Sequence, residues 1–117
     1  MYPVMPECIF CSIIAKKIPA DIIYEDDDVV VFKDIKPSAP IHWLIVPKKH
    51  TQTPADTDAQ TLGLMAKIGA RVTNDNGIDE KGYKLVINVG KGGGQIVNHI
   101  HMHVLAGFKT EPSHEGR

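Results

Sequence analysis

The sequence predicts an α+β domain: a predominantly antiparallel β-sheet of about five strands, covered by helices on one side, with a short N-terminal helix and one long helix. Two observations predict it. The chain has 117 residues, of which 43% are hydrophobic, enough for one compact domain with a genuine but modest core. Along it the apolar spacing runs from helical to β-like and back, in the order helix, hairpin, strand, long helix, two strands. No internal repeat, linker or low-complexity tract divides the chain, so residues 1–117 form a single domain ending in a polar tail over 108–117.

Each element has its own signal. Cys8 to Lys17 carries Ile9, Phe10, Ile13 and Ile14 in a helix-like stripe that Pro19 ends. Ile22 to Glu25 and Val29 to Lys33 are β-branched or apolar runs around Asp26-Asp27-Asp28, a hairpin with a solvated acidic turn. Pro37-Ser38-Ala39-Pro40 is a loop, His42 to Val46 is a strand, and Pro47-Lys48-Lys49-His50 follows it. From Asp56 to about Asn76, Leu62, Met65, Ala66, Ile68, Gly69 and Val72 recur at near-helical spacing. Thr57 or Asp58 is the N-cap of this long helix, and Asn76-Gly77 is its stop. Tyr83 to Val89 and His99 to Leu105 are the last two strands.

A formal charge of −1 with scattered Lys and Arg excludes the basic stripe of a nucleic-acid surface, and a small anionic ligand fits better than a polymer. No stretch approaches the ~20 apolar residues of a membrane span, and Met1-Tyr2-Pro3-Val4-Met5-Pro6-Glu7 lacks the basic and apolar regions of a secretory signal. The expected location is the cytoplasm.

The chemistry concentrates in Asn98-His99-Ile100-His101-Met102-His103-Val104-Leu105. Three of the six histidines stand there at every second position, and on a strand that spacing puts them on one face. Imidazole titrates nearest neutrality, so it can serve as nucleophile, acid, base or metal ligand. Gly90-Lys91-Gly92-Gly93-Gly94-Gln95 comes just before and lets backbone N–H groups turn toward an anion. Together they point to chemistry on a phosphate, although the glycines alone would read equally as a flexible turn. Three same-face histidines could also hold a catalytic metal, but such sites usually recruit a carboxylate or a more distant ligand. Cys8 and Cys11 leave three readings open in a reducing compartment: a redox pair, a metal site, or two buried thiols. His50 and His99 could complete a Cys2His2 tetrahedron of the kind zinc prefers in closed sites. Lys48-Lys49 reads as a solvated pair and His114 as an inert tail residue.

The segment His99 to Leu105 carries the pattern His-x-His-x-His-x-x with apolar x. Around it stand, in order, Cys8-Ile9-Phe10-Cys11, Ile18-Pro19-Ala20, Ile23-Tyr24-Glu25-Asp26-Asp27, Phe32-Lys33-Asp34-Ile35-Lys36-Pro37, His42-Trp43-Leu44-Ile45-Val46-Pro47-Lys48-Lys49-His50 and Gly93-Gly94-Gln95. In this ordered combination the chain resembles the Hint branch of the histidine triad (HIT) superfamily, over residues 7–107.

The resemblance implies a HIT-like fold, a homodimer, and hydrolysis of the P–N bond of purine nucleoside 5′-phosphoramidates. It makes His101 the nucleophile of a phosphohistidine intermediate, with the backbone carbonyl of His99 holding its Nδ1–H. His103 and His42 become phosphate-binding and proton-relay partners. Asn88, Gly94 and Gln95 fall at phosphate-pocket positions, and Asp34 at the residue accepting from the ribose hydroxyls. Ile9, Phe10, Ile13, Ile18, Phe32 and Ile35 match the apolar slot around the base. By apolarity alone most would be core, and the resemblance moves Phe10, Ile18 and Ile35 toward the pocket. Ile96 stands where many Hint proteins carry a small hydroxyl residue, which bears on turnover and amine preference. The family pattern couples a Cys pair with counterparts of His50 and His99, implying a structural zinc on Cys8, Cys11, His50 and His99, with His99 a ligand. The short polar tail replaces a segment that shapes substrate choice across the family dimer. Two other functions fit the same residues: hydrolysis of dinucleoside polyphosphates or nucleotidyl transfer on the same scaffold, and a zinc-stabilised nucleotide-binding or scaffolding protein with incidental turnover.

Overall fold

The computed structural model describes residues 5–108, so His114 and all of the expected tail except Phe108 lie outside the described residues. Five strands, β1 (Ile22–Glu25), β2 (Val29–Lys33), β3 (Ile41–Pro47), β4 (Tyr83–Val86) and β5 (Met102–Ala106), form one sheet in the order β1-β2-β3-β5-β4. Every neighbouring pair is antiparallel. Helix α1 spans Ile9–Ile14 and α2 spans Ala59–Asp75. This is the predicted α+β architecture. Among the described residues no helix is long and apolar enough to cross a membrane.

The helices do not share a side of the sheet, which corrects the expectation of a one-sided cover. Val29 and Val31 of β2 and Trp43 and Ile45 of β3 pack with Met65, Ile68 and Val72 of α2. Val30, Phe32, Leu44 and Val46, on the opposite face by the alternation of a strand, pack with Phe10 and Ile13 of α1. The physical reason is visible in the sequence: Val29 to Phe32 and Trp43 to Val46 are apolar without alternation, so both faces need cover. Ile45, Met65, Val31 and Val104 are fully buried, and burying a side chain of this size contributes about 1.5–3 kcal/mol. Gly69 allows the close approach of α2, since a Cβ there would sit 3.0 Å from Leu85 and 3.2 Å from Ile45.

The helix ends follow local chemistry. Cys8 is the N-cap of α1, its Sγ accepting from the Cys11 amide at 3.3 Å. The helix stops short of the expected Lys17 because Lys16 turns left-handed at φ 63, a conformation costing a non-glycine residue about 1 kcal/mol. Asp58 caps α2 by accepting from the Thr61 amide at 2.6 Å, and Asn76 ends it by donating from Nδ2 to the Val72 carbonyl.

Two strands are shorter than predicted. β4 ends at Val86 instead of Val89. β5 begins at Met102, so His99, Ile100 and His101 precede the strand and only His103 lies on it. The β3–β5 register pairs Ile45 with Met102, and two residues further it would bring Pro47 opposite Ile100. Proline has no N–H for the Ile100 carbonyl, and its own carbonyl meets Nε2 of His99 at 2.7 Å, so the ladder stops and the Ile100 amide donates to the Thr51 carbonyl at 2.7 Å. The alternation survives without the strand. Ile100, Met102 and Val104 join the core beneath α2, while Phe10 of α1 meets the rings of His99 and His101.

Candidate functional site

Cys8, Cys11, His50 and His99 come together from three segments: the start of α1, the turn after β3 and the stretch before β5. Nδ1 of His99 lies 3.4 Å from Sγ of Cys8 and 3.7 Å from Sγ of Cys11. Nδ1 of His50 lies 3.3 Å from Sγ of Cys11 and 3.1 Å from Nδ1 of His99. All four donor atoms fall within 4.8 Å of one another. Nε2 of His99 meets the Pro47 carbonyl at 2.7 Å, and because a carbonyl only accepts, the ring proton is there and Nδ1 is a lone pair. Zinc bond lengths give tetrahedral edges of about 3.3 Å between nitrogens and about 3.6 Å between nitrogen and sulfur, close to the separations found here.

Electrostatics agrees with geometry. Burial, with the Cys11 thiol adding, pushes the Cys8 thiol up, so its thiolate needs a cation beside it. Burial, then the charges of His50 and His101, hold His99 down to about 4 against the pull of the Pro47 carbonyl. At neutral pH it is a neutral imidazole with its ligand nitrogen aimed into the cluster. The four residues suit a closed, structural Cys2His2 zinc site.

His99 also reaches the second group of histidines. Its backbone carbonyl accepts from Nδ1 of His101 at 2.7 Å, which places the His101 proton on Nδ1 and leaves Nε2 bare. Phe10 stands edge-on to the His101 ring at 5.1 Å, and the His103 ring lies 5.0 Å from it. His42 on β3 and His103 on β5 are diagonal neighbours, with His42 Nε2 2.8 Å from His103 Nδ1. The Ser38 amide donates to His42 Nδ1 at 3.0 Å, and Oδ2 of Asp34 lies 3.4 Å from His42 Nε2. Burial is the main cause lowering His101, opposed by the His99 carbonyl and the Asp34 charge. Burial, followed by the charges of His101 and His42, brings His103 to about 4, with Asp34 opposing.

The glycine loop is a preformed cradle. Lys91–Gly93 make one 3-10 turn, flanked by Gly90 at φ 70 and Gly94 at φ 87, conformations that favour glycine. Asn88 Nδ2 donates to the Gly93 carbonyl at 2.8 Å. Gln95 is tied inward: its Oε1 accepts from the Gly90 amide at 2.9 Å, while Nε2 donates to the Gln52 and Val97 carbonyls at 2.8 and 3.0 Å. Its side chain therefore frames the loop. Phe10 is buried, Ile18 is 39% exposed, and Ile35 and Ile96 are 88% and 91% exposed, unusual for side chains this apolar. A groove of about 640 Å³ has Cys8, Ile9, His50 and Ile96 among its walls but none of His42, His101 and His103. Two backbone groups escaped the sequence, the Ser38 amide and the Pro47 carbonyl, and main-chain partners leave no residue-type signal.

A five-stranded antiparallel sheet carrying a His-x-His-x-His segment, with a glycine-rich turn before that segment and one histidine's nitrogen left bare, defines a histidine triad protein. The chain belongs to the HIT family, whose HIT domain pattern it matches over residues 15–110. The purine nucleoside phosphoramidase of Escherichia coli (strain K12) is 45% identical over 115 residues, spanning 94% of this chain and 97% of that protein. The HIT family hydrolase from Clostridium thermocellum superposes with a TM-score of 0.88 at 42% identity, covering 93% of this chain and 97% of that one. A zinc-bound histidine triad family protein from Mycobacterium smegmatis superposes with a TM-score of 0.79 at 36% identity, covering 88% and 76% respectively.

Elemental analysis of the purified protein is expected to find about one zinc per chain, and the Cys8→Ser, Cys11→Ser double variant to hold none and melt at lower temperature. Zinc retained at full occupancy by the double variant would contradict the donor set. His103 also fixes a pH dependence. Its nitrogen binds a proton near 6.5 in the unfolded chain and only near 4 in the fold, so stability is lost as pH falls from 6.5 toward 4. The urea midpoint should drop across that window, and less steeply in His103→Gln; equal slopes would refute the assignment.

Proposed function

We propose that the chain hydrolyses purine nucleoside 5′-phosphoramidates through a nucleotidyl intermediate on His101. The observation that carries this is the His101 Nδ1 to His99 carbonyl bond at 2.7 Å, which leaves a bare Nε2 on a ring 5.0 Å from that of His103. Such a nitrogen is a competent nucleophile toward phosphorus. Identity of 45% to a purine nucleoside phosphoramidase supports the substrate class.

In the first step Nε2 of His101 attacks phosphorus, the P–N bond breaks, and the amine departs with a proton at nitrogen. In the second, water attacks the same phosphorus, returning one proton to solvent and freeing His101; the products are the nucleoside monophosphate and the amine. Amides of the loop at Gly94, with Asn88 and Gln95 holding its shape, face the charge that gathers on the phosphoryl oxygens. His103 and His42 complete that charge-stabilising wall. Asp34 accepts from the ribose hydroxyls, Phe10, Ile18 and Ile35 take the base, and Ile96 borders the leaving amine.

A zinc held by Cys8, Cys11, His50 and His99 would lock the residue whose carbonyl orients the nucleophile, without entering the chemistry. The thiolates this needs favour the cytoplasm, a reducing compartment. β4 is an edge strand with Leu85 36% exposed, which supports a homodimer.

Adenosine 5′-phosphoramidate is the test substrate. Wild-type protein should turn it over, and His101→Ala should lose about 10⁴-fold or more in kcat with its zinc retained. Faster cleavage of diadenosine polyphosphates would displace the phosphoramidase assignment, and no turnover in folded, zinc-loaded protein would leave a binding module.

A further inference from the structure

We propose that the Ser38 backbone amide sets the protonation pattern of the His42–His103 pair, so that His103 presents a neutral Nε2–H to the phosphoryl oxygens. This rests on the phosphoramidase function proposed above. The pattern follows from three contacts taken in order.

The Ser38 N–H donates to Nδ1 of His42 at 3.0 Å, and Oγ of Ser38 stands 3.4 Å from the same nitrogen. An amide N–H is a donor only, so Nδ1 is a lone pair and the His42 proton sits on Nε2. The same contact forbids a doubly protonated His42. Its Nε2–H has two acceptors in reach, Nδ1 of His103 at 2.8 Å and Oδ2 of Asp34 at 3.4 Å, and the shorter contact takes it. Nδ1 of His103 is then an acceptor. Its own proton must be on Nε2, since an N–H at Nδ1 would face the N–H of His42 across 2.8 Å. Burial, which keeps His103 neutral down to about 4, acts in the same direction.

A chain of this polarity has a chemical consequence. If His103 released its Nε2 proton and drew one from His42, His42 would be left an imidazolate, because the Ser38 amide has no proton to give. The pair is therefore no proton relay. It is a rigid string of dipoles ending in one donor, the form in which a neutral imidazole stabilises charge on a reacting oxygen. The proton that leaves with the amine comes from water. Ser38 is a positioning residue acting through His42, and the donor at stake is main chain, so the substitution that removes it is to proline.

The experiment uses the full chain, zinc-loaded and ¹⁵N-labelled at histidine, with long-range ¹H–¹⁵N spectra recorded near neutral pH. His42 and His103 should each show an unprotonated Nδ1 and a protonated Nε2, in free protein and after addition of adenosine 5′-monophosphate. Ser38→Ala, which keeps the amide, should preserve both patterns. Ser38→Pro should move both rings together toward a tautomer average and lower kcat/KM on adenosine 5′-phosphoramidate about tenfold, part of the loss expected for a misplaced donor. If the proline variant does not fold, His42→Ala supplies the same test, because His103 alone should then lose its fixed tautomer. A protonated Nδ1 on either ring in the wild type, or on His103 once the nucleotide is bound, overturns the proposal, as does an unchanged His103 in His42→Ala. Expected tautomers without phosphoramidate turnover would support the protonation pattern and overturn the function on which it was built.

Discussion

His99 is held at three points, and both halves of the site depend on them. Its Nε2 is anchored to the Pro47 carbonyl at the end of β3, its Nδ1 faces Cys8, Cys11 and His50, and its own carbonyl fixes His101. The residue is fully buried, so each polar group must be satisfied by the protein. A metal in the Cys2His2 cluster would pin the ring, the ring fixes the backbone, and the backbone orients His101, the proposed nucleophile. Structural stability and chemistry thus meet in one residue that does no chemistry itself.

The histidines that follow stay neutral for a related reason. An anionic substrate would ordinarily be met by cations, yet burial holds His99 and His103 near 4 and lowers His101 as well. A charged His101 would have no lone pair to attack with, so neutrality is what nucleophilic chemistry requires. In the proposed reaction the charge of the phosphate is left to oriented dipoles: loop amides whose glycines adopt φ 70 and φ 87, and the N–H string from Ser38 to His103. Such dipoles are fixed before substrate arrives and cost little to reorganise.

Much of this was legible in the residues. The alternating histidines, the Cys-x-x-Cys pair and the glycine run are patterns of residue type; the four cysteine and histidine residues of the cluster come together and the caps of α2 stand as the sequence indicates, whereas α1 ends early. The single-strand reading of His99 to Leu105 did not survive, because Pro47 ends the ladder from a neighbouring strand, a long-range effect no local window contains. The cover of both sheet faces was recoverable from Val29 to Phe32, whose apolar run has no polar alternate. Gln95 falls at a phosphate-pocket position by resemblance, and the structure adds that its amide nitrogen donates to the Gln52 and Val97 carbonyls. The Ser38 amide lay beyond any sequence reading, since every residue but proline carries the same donor.

The central claim is that a bare Nε2 on His101 takes the nucleotide. A rapid quench of the first turnover at alkaline pH, followed by peptide mass spectrometry, tests it most directly. The account predicts a nucleoside monophosphate adduct on the peptide carrying His101, localised by fragmentation to that ring and decaying as product forms. Product released in that turnover with no adduct, or an adduct on His103 or His42, would contradict it.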